Sequence, residues 1–249
     1  MQRFRVGGLA CVRHGSGRPL VLLHPIVFSK AYFALEAFPF DGVAFDQRGH
    51  GETTEPVDPD RMGADVAAVM DAVGWKTASV GGTSLGAAAA IRFALEFPGR
   101  CDALVLDLPG FGPRSFRDPA KTERMAAAFA AADFALAETV IVEGMAAPRA
   151  KAWGEALRKD WANYAPSELG PKLASALRAA SGWSVAEPWP SALSAIRART
   201  AVLGVKADPL HPWETASQVA AAIPGARLLP RVSSLDPAAI ARQWSEVLG

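Results

Sequence analysis

Short apolar runs recur along the chain, separated by stretches with helical spacing, and this alternation constrains the fold more than any other feature. PLVLL at 19–23, GVAFD at 42–46, TASVGG at 77–82, DALVLD at 102–107, TAVLGV at 200–205 and ARLLP at 226–230 read as strands. Near-continuous apolar character marks strands buried on both faces, as in a parallel sheet covered by helices. Residues 60–74 lie between two of these runs and bring Met62, Val66, Val69, Met70 and Val73 near one helical face, with Gly74 as the stop. Residues 84–97 and 237–248 also read as helices, the second capped by Asp236 with Pro237 in its first turn. At the N-terminus, RFRVGGLACVR reads as a hairpin turning at Gly7-Gly8.

The expected architecture is a mainly parallel sheet of about eight strands flanked by helices. Residues 111–199 break the rhythm. They are Ala-rich, carry Trp153, Trp161, Trp183 and Trp189, and are divided into several helices by Pro148, Pro166, Pro171, Pro188 and Pro190. A stretch this long between two strands reads as an inserted helical cap, leaving 1–110 and 200–249 as the core.

Charge narrows the partners. Lys and Arg total 26 against 25 Asp and Glu, with no basic stripe, so nucleic acid is not an expected ligand. No apolar run reaches the roughly 18 residues that a membrane span needs, and the N-terminus lacks the apolar stretch of a signal peptide. The two cysteines, Cys11 and Cys101, form no framework and read as small apolar residues in a reduced, cytoplasmic compartment. The residues contain no metal-ligand spacing and no nucleotide-binding glycine loop, so the expectation is a monomer or homodimer that binds a small molecule without a cofactor.

GGTSLG at 81–86 is the sharpest local signal. Ser84 stands between Gly82 and Gly86 where a strand turns directly into a helix. Side chains at the two glycine positions would collide there, and the turn projects the serine toward a helix N-terminus that favours negative charge. The alternative is a serine that merely caps the helix. Asp208 ends an apolar strand in VLGVKADPLHP, where a carboxylate has no packing role. It also reads as a cap for the helix after Pro212.

The order of these pieces resembles the α/β-hydrolase fold along the whole chain. LVLLHPI resembles the strand leading into the family's oxyanion loop, DQRGHG its Asp-x-Arg-Gly-x-Gly turn, and GTSLG its G-x-S-x-G nucleophile elbow. The cap falls after the sixth strand, where the family places its caps. The resemblance implies Ser84 as nucleophile, Leu85 and Ile26 as backbone oxyanion donors, and Asp208 as the acid, with Asp107 as the other acid position. Where the family has His-Gly this chain has His24-Pro25, and His24 reads as a buried structural histidine. Asp46, Arg48 and His50 read as ties within their turn.

The family's histidine belongs in the loop after the last strand. That loop, PRVSSLDP at 230–237, has none. Of the four histidines, only His211 follows Asp208. Three readings remain open: His211 serves as a relocated base, the chain binds a ligand without turnover, or it carries different chemistry on the same fold. The expected hydrolase acts on an ester, thioester or lactone of a small apolar compound. Phe28, Tyr32, Phe111, Trp153, Trp161 and Trp183 are the expected pocket residues, with 109–116 as a hinge into the cap.

Overall fold

The computed structural model describes residues 1–110, 118–206, 208, 210–232 and 235–249. Eight strands form one sheet: β1 (Gln2–Val6), β2 (Leu9–His14), β3 (Pro19–Leu23), β4 (Asp41–Phe45), β5 (Ala78–Thr83), β6 (Cys101–Asp107), β7 (Arg199–Gly204) and β8 (Arg227–Pro230). Their order is β1-β2-β4-β3-β5-β6-β7-β8. The hairpin β1–β2 and the pair β2–β4 are antiparallel, and every other pair is parallel. Gly7 takes the positive φ of 56° that closes the hairpin.

Helices cover both faces. They are α1 (Met62–Ala72) and α2 (Leu85–Glu96), then α3 (Pro119–Ala130), α4 (Phe134–Val142), α5 (Ala147–Trp161) and α6 (Pro166–Ala180), and finally α7 (Trp213–Ala222) and α8 (Pro237–Leu248). Leu20 to Leu23 of β3 are fully buried, as continuous apolar character predicts for a central strand. In α8, Ile240, Ala241, Trp244 and Leu248 face inward, and the Asp236 side chain accepts from the N–H groups of Ala238 and Ala239. Trp244 lies so close to β5 that a Cβ on Gly81 would come within 2.3 Å of its ring. The first glycine of GGTSLG is therefore a packing requirement, separate from the turn.

The helices α3 to α6 lie between β6 and β7, within the segment read as an insertion. Asp118 and Asp133 cap α3 and α4, and Phe129, Phe134 and Trp161 meet edge to face. This layer is tied to loops at the carboxyl ends of the parallel strands. The Trp161 indole N–H donates to the Val27 carbonyl at 2.8 Å, and Asp160 accepts from both the N–H and hydroxyl of Ser29. Lys172 donates to the carbonyls of Gly51 and Thr53. The four helices thus sit over the end of the sheet where parallel α/β folds hold their ligands.

Cys11 and Cys101 are both buried free thiols, and burial pushes each pKa up to about 12. Among the described residues, no helix is long and apolar enough to cross a membrane.

Candidate active site

The serine stands on a strained turn. Ser84 follows β5 directly, opens α2, and adopts φ 54° and ψ −110°, a conformation that costs a non-glycine residue free energy. Its N–H donates to the Asp107 carbonyl at 2.9 Å. The glycines on either side allow the turn. A Cβ on Gly82 would fall 2.1 Å from the Gly86 backbone, and one on Gly86 would fall 1.9 Å from the Leu23 carbonyl oxygen. Ser84 makes no side-chain cap on α2, so the capping alternative does not hold. Its hydroxyl instead meets His211 Nε2 at 2.9 Å.

His211 reaches this position from the loop after β7. Asp208 lies three residues earlier, with a fully buried side chain. Its Oδ1 accepts from the backbone N–H groups of Leu210 and His211, at 2.8 and 3.1 Å. Its Oδ2 accepts from Arg149 Nη2 at 2.5 Å and stands 3.5 Å from His211 Nδ1. The latter is an ion-pair distance, beyond a good hydrogen bond, and the buried Nδ1 has no hydrogen-bond partner among the described residues. Burial alone would raise the Asp208 pKa. His211, the Arg149 guanidinium and the Leu210 N–H together outweigh it and hold the carboxyl below its usual range. Asp208 does not cap α7, whose N-cap is Pro212 with no side-chain bond.

Leu85 is the first residue of α2, and Ile26 lies in a turn closed by the Phe28 N–H on the Pro25 carbonyl. Among the described residues, neither the Leu85 nor the Ile26 N–H makes a hydrogen bond. Pro25 leaves this loop ordered, because two histidines brace it. The Gln47 N–H donates to His24 Nε2, so His24 carries its proton on Nδ1 and donates to the Pro25 carbonyl. Burial, with His50 alongside, pushes the His24 pKa well down. His50 Nε2 lies 2.7 Å from the Ile26 carbonyl, and its Nδ1 lies 2.8 Å from that of Arg48. Asp46 and Arg48 tie their turn to other elements: Asp46 accepts from Lys30, and Arg48 pairs with Asp65 and Glu55.

Asp107 is engaged elsewhere. Its Oδ1 accepts from Arg231 Nε at 2.7 Å and its Oδ2 from the Thr83 hydroxyl at 3.0 Å, with both charged side chains almost wholly buried. Arg231 thus stands in the loop where a histidine was expected, and also donates to the Tyr32 hydroxyl. Residues 233 and 234 of that loop, Ser233 and Ser234, lie outside the described residues.

The expected pocket residues separate into groups. Phe28, Tyr32 and Trp153 form one aromatic cluster, with Phe28 in ring contact with both others. Trp161 is spent on the Val27 carbonyl and on the packing of the inserted helices. Trp183 is partly exposed and donates to Asp60 ahead of α1. Both therefore have structural engagements of their own. Phe111 and the rest of the expected hinge from 112 to 116 lie outside the described residues. Arg149 was missed by the sequence reading, since nothing near PRAKAW at 148–153 signals a contact with Asp208 59 residues later.

A model of the alpha/beta hydrolase fold family matches residues 27–231. The chain belongs to the α/β-hydrolase family. AB hydrolase superfamily protein YisY of Bacillus subtilis (strain 168) is 34% identical over 101 residues, which span 37% of this chain and 38% of YisY. The α/β-hydrolase layout also relates the chain to Est816, an N-acyl homoserine lactone degrading enzyme. That structure gives a TM-score of 0.77 at 24% identity, over 99% of this chain and 98% of Est816. The enol-lactonase from Burkholderia xenovorans LB400 gives a TM-score of 0.79 at 19% identity, over 99% of each chain. At these identities the two likenesses show the fold.

Proposed function

We propose that the chain is a serine hydrolase of ester-type bonds, with Ser84 as nucleophile and His211 as its general base. The observation that carries this reading is the 2.9 Å approach of His211 Nε2 to a serine held at φ 54°. A hydroxyl is a poor nucleophile until a base takes its proton, and a base must lie within hydrogen-bond reach to do so.

In this reading His211 Nε2 accepts the Ser84 proton as Oγ attacks the carbonyl carbon. The carbonyl π electrons move onto oxygen, which the N–H groups of Leu85 and Ile26 stabilise. Collapse of that intermediate breaks the bond to the leaving oxygen or sulfur, and the leaving group takes the proton from His211. Water then attacks the acyl-serine, again giving its proton to Nε2, and the carboxylic acid departs as Ser84 recovers its hydrogen. Asp208 orients His211 and stabilises the imidazolium formed in each half-reaction. The substrate is a small ester, thioester or lactone, its apolar part resting near Phe28 and Trp153. The lactone-cleaving activities named for Est816 and the enol-lactonase are consistent with that class.

Fluorophosphonate labelling and hydrolysis of 4-nitrophenyl esters and simple lactones test the reading, using wild type, Ser84→Ala and His211→Ala. Labelling and turnover are expected to vanish in Ser84→Ala. In His211→Ala, kcat is expected to fall by roughly 10²–10⁴-fold. Wild-type protein that is neither labelled nor active, yet is stabilised by a small ligand, would favour a binding protein instead.

A further inference from the structure

Asp208 Oδ2 faces two claimants. Arg149 Nη2 holds it at 2.5 Å, and His211 Nδ1 waits at 3.5 Å. If Nε2 is to accept the Ser84 proton, Nδ1 carries the ring's hydrogen, and that buried N–H has no acceptor among the described residues. The guanidinium is also incompletely used. Arg13 and Arg48 each present the edge formed by Nε and Nη2 to both oxygens of an aspartate, Asp41 and Asp65. Arg149 presents only Nη2, because Asp208 Oδ1 is committed to the backbone of its own loop. Its Nε is buried and, among the described residues, has no partner. Two buried donors are therefore unmet around one carboxylate oxygen, an arrangement that is costly unless another acceptor arrives.

A second carboxylate would resolve both at once. It would fill the Nε–Nη2 fork of Arg149, a pairing that the planar guanidinium favours. Asp208 Oδ2 would then be released to the His211 N–H, which needs to move less than about 1 Å to reach hydrogen-bond distance. The Arg149 side chain is 27% exposed while that of Asp208 is fully buried, so an incoming anion meets the arginine first. We propose that Arg149 is the specificity-determining residue for a free carboxylate on the substrate, and that its transfer from Asp208 to that carboxylate completes the Asp208–His211 pair. This deepens the hydrolase reading and rests on it for the identity of the reaction.

The test separates binding from turnover. Glutarate binding is measured by calorimetry on Ser84→Ala and on Ser84→Ala with Arg149→Gln. Hydrolysis of the mono-4-nitrophenyl ester of glutaric acid is compared with that of 4-nitrophenyl valerate, a neutral ester of matching length, in wild type, Arg149→Gln and Arg149→Lys. Circular dichroism melts confirm that each variant folds. The expected results are a glutarate Kd at least tenfold weaker without Arg149 and an anionic-to-neutral ratio of kcat/KM that falls at least tenfold in Arg149→Gln. Arg149→Lys keeps the charge without the fork and is expected to fall between. A Kd or a ratio that stays within twofold in Arg149→Gln would overturn the proposal. If wild type cleaves neither ester yet glutarate binding still depends on Arg149, the carboxylate site stands and the hydrolase reading fails.

Discussion

Replacing Arg231 with methionine removes the cation of a pair that the fold has shut away from water. The side chains of Arg231 and Asp107 are 3% and 0% exposed, and the Nε–Oδ1 contact is 2.7 Å. Two unit charges about 4 Å apart attract by about 4 kcal/mol at an effective dielectric constant of about 20. Losing one partner of such a pair costs about 3–5 kcal/mol, because the other charge stays buried without compensation. For a chain of this size that lowers the melting temperature by about 6–20 °C. The second half of the reasoning is a rescue. Arg231→Met combined with Asp107→Asn removes the stranded charge while leaving an amide oxygen for the Thr83 hydroxyl. The double variant is expected to return to within about 1.5 kcal/mol of wild type, the residue being hydrogen bonds lost by Tyr32 and the Val232 carbonyl. Urea unfolding at constant m-value reads both steps. A single variant that loses under about 1 kcal/mol, or a double variant no more stable than the single, would refute the assignment of Arg231 as the counter-charge of Asp107.

Other predictions follow from the same geometry. Gly86→Ala drives a Cβ against the Leu23 carbonyl, and is expected to destabilise the protein by more than the roughly 1 kcal/mol of an average substitution, read as a lower urea midpoint. Burial raises the Asp160 pKa to about 6, against its bonds from Ser29. A raised carboxyl favours the folded state below its unfolded value of about 3.9, and that contribution is lost as pH rises through about 6. Compared with Asp160→Asn, which keeps an oxygen for Ser29, wild type should lose stability of order 1–3 kcal/mol between pH 4 and pH 8. Parallel pH–stability curves for the two proteins would contradict this.

Much of the framework was legible because it rests on local rules. Continuous apolar runs gave the parallel strands, and Gly82 and Gly86 betrayed the elbow because only a close backbone approach excludes a Cβ on both sides of a serine. Asp208 stood out as a carboxylate ending an apolar strand, and His211 as the only histidine after it. What local rules could not give was reach. Whether the imidazole meets Ser84, 127 residues away, depends on the path of its loop. Arg149 was illegible for the same reason, since its contact joins an inserted helix to a loop beyond β7. The tie from Trp161 to the loop after β3 was likewise beyond local rules.

Placing Asp208 and His211 three residues apart on one loop has a consequence for how the site tolerates change. In a triad drawn from three separate loops, each pair must be aligned independently across the sheet. If the proposed roles hold, acid and base here travel as one cassette, joined by the Oδ1 bonds to the loop's own backbone. The geometry that remains to be maintained is a single gap, between that cassette and the elbow. In the proposed reading the edge strand β8 supplies no catalytic group, and Arg231 just beyond it serves as the structural counter-charge of Asp107.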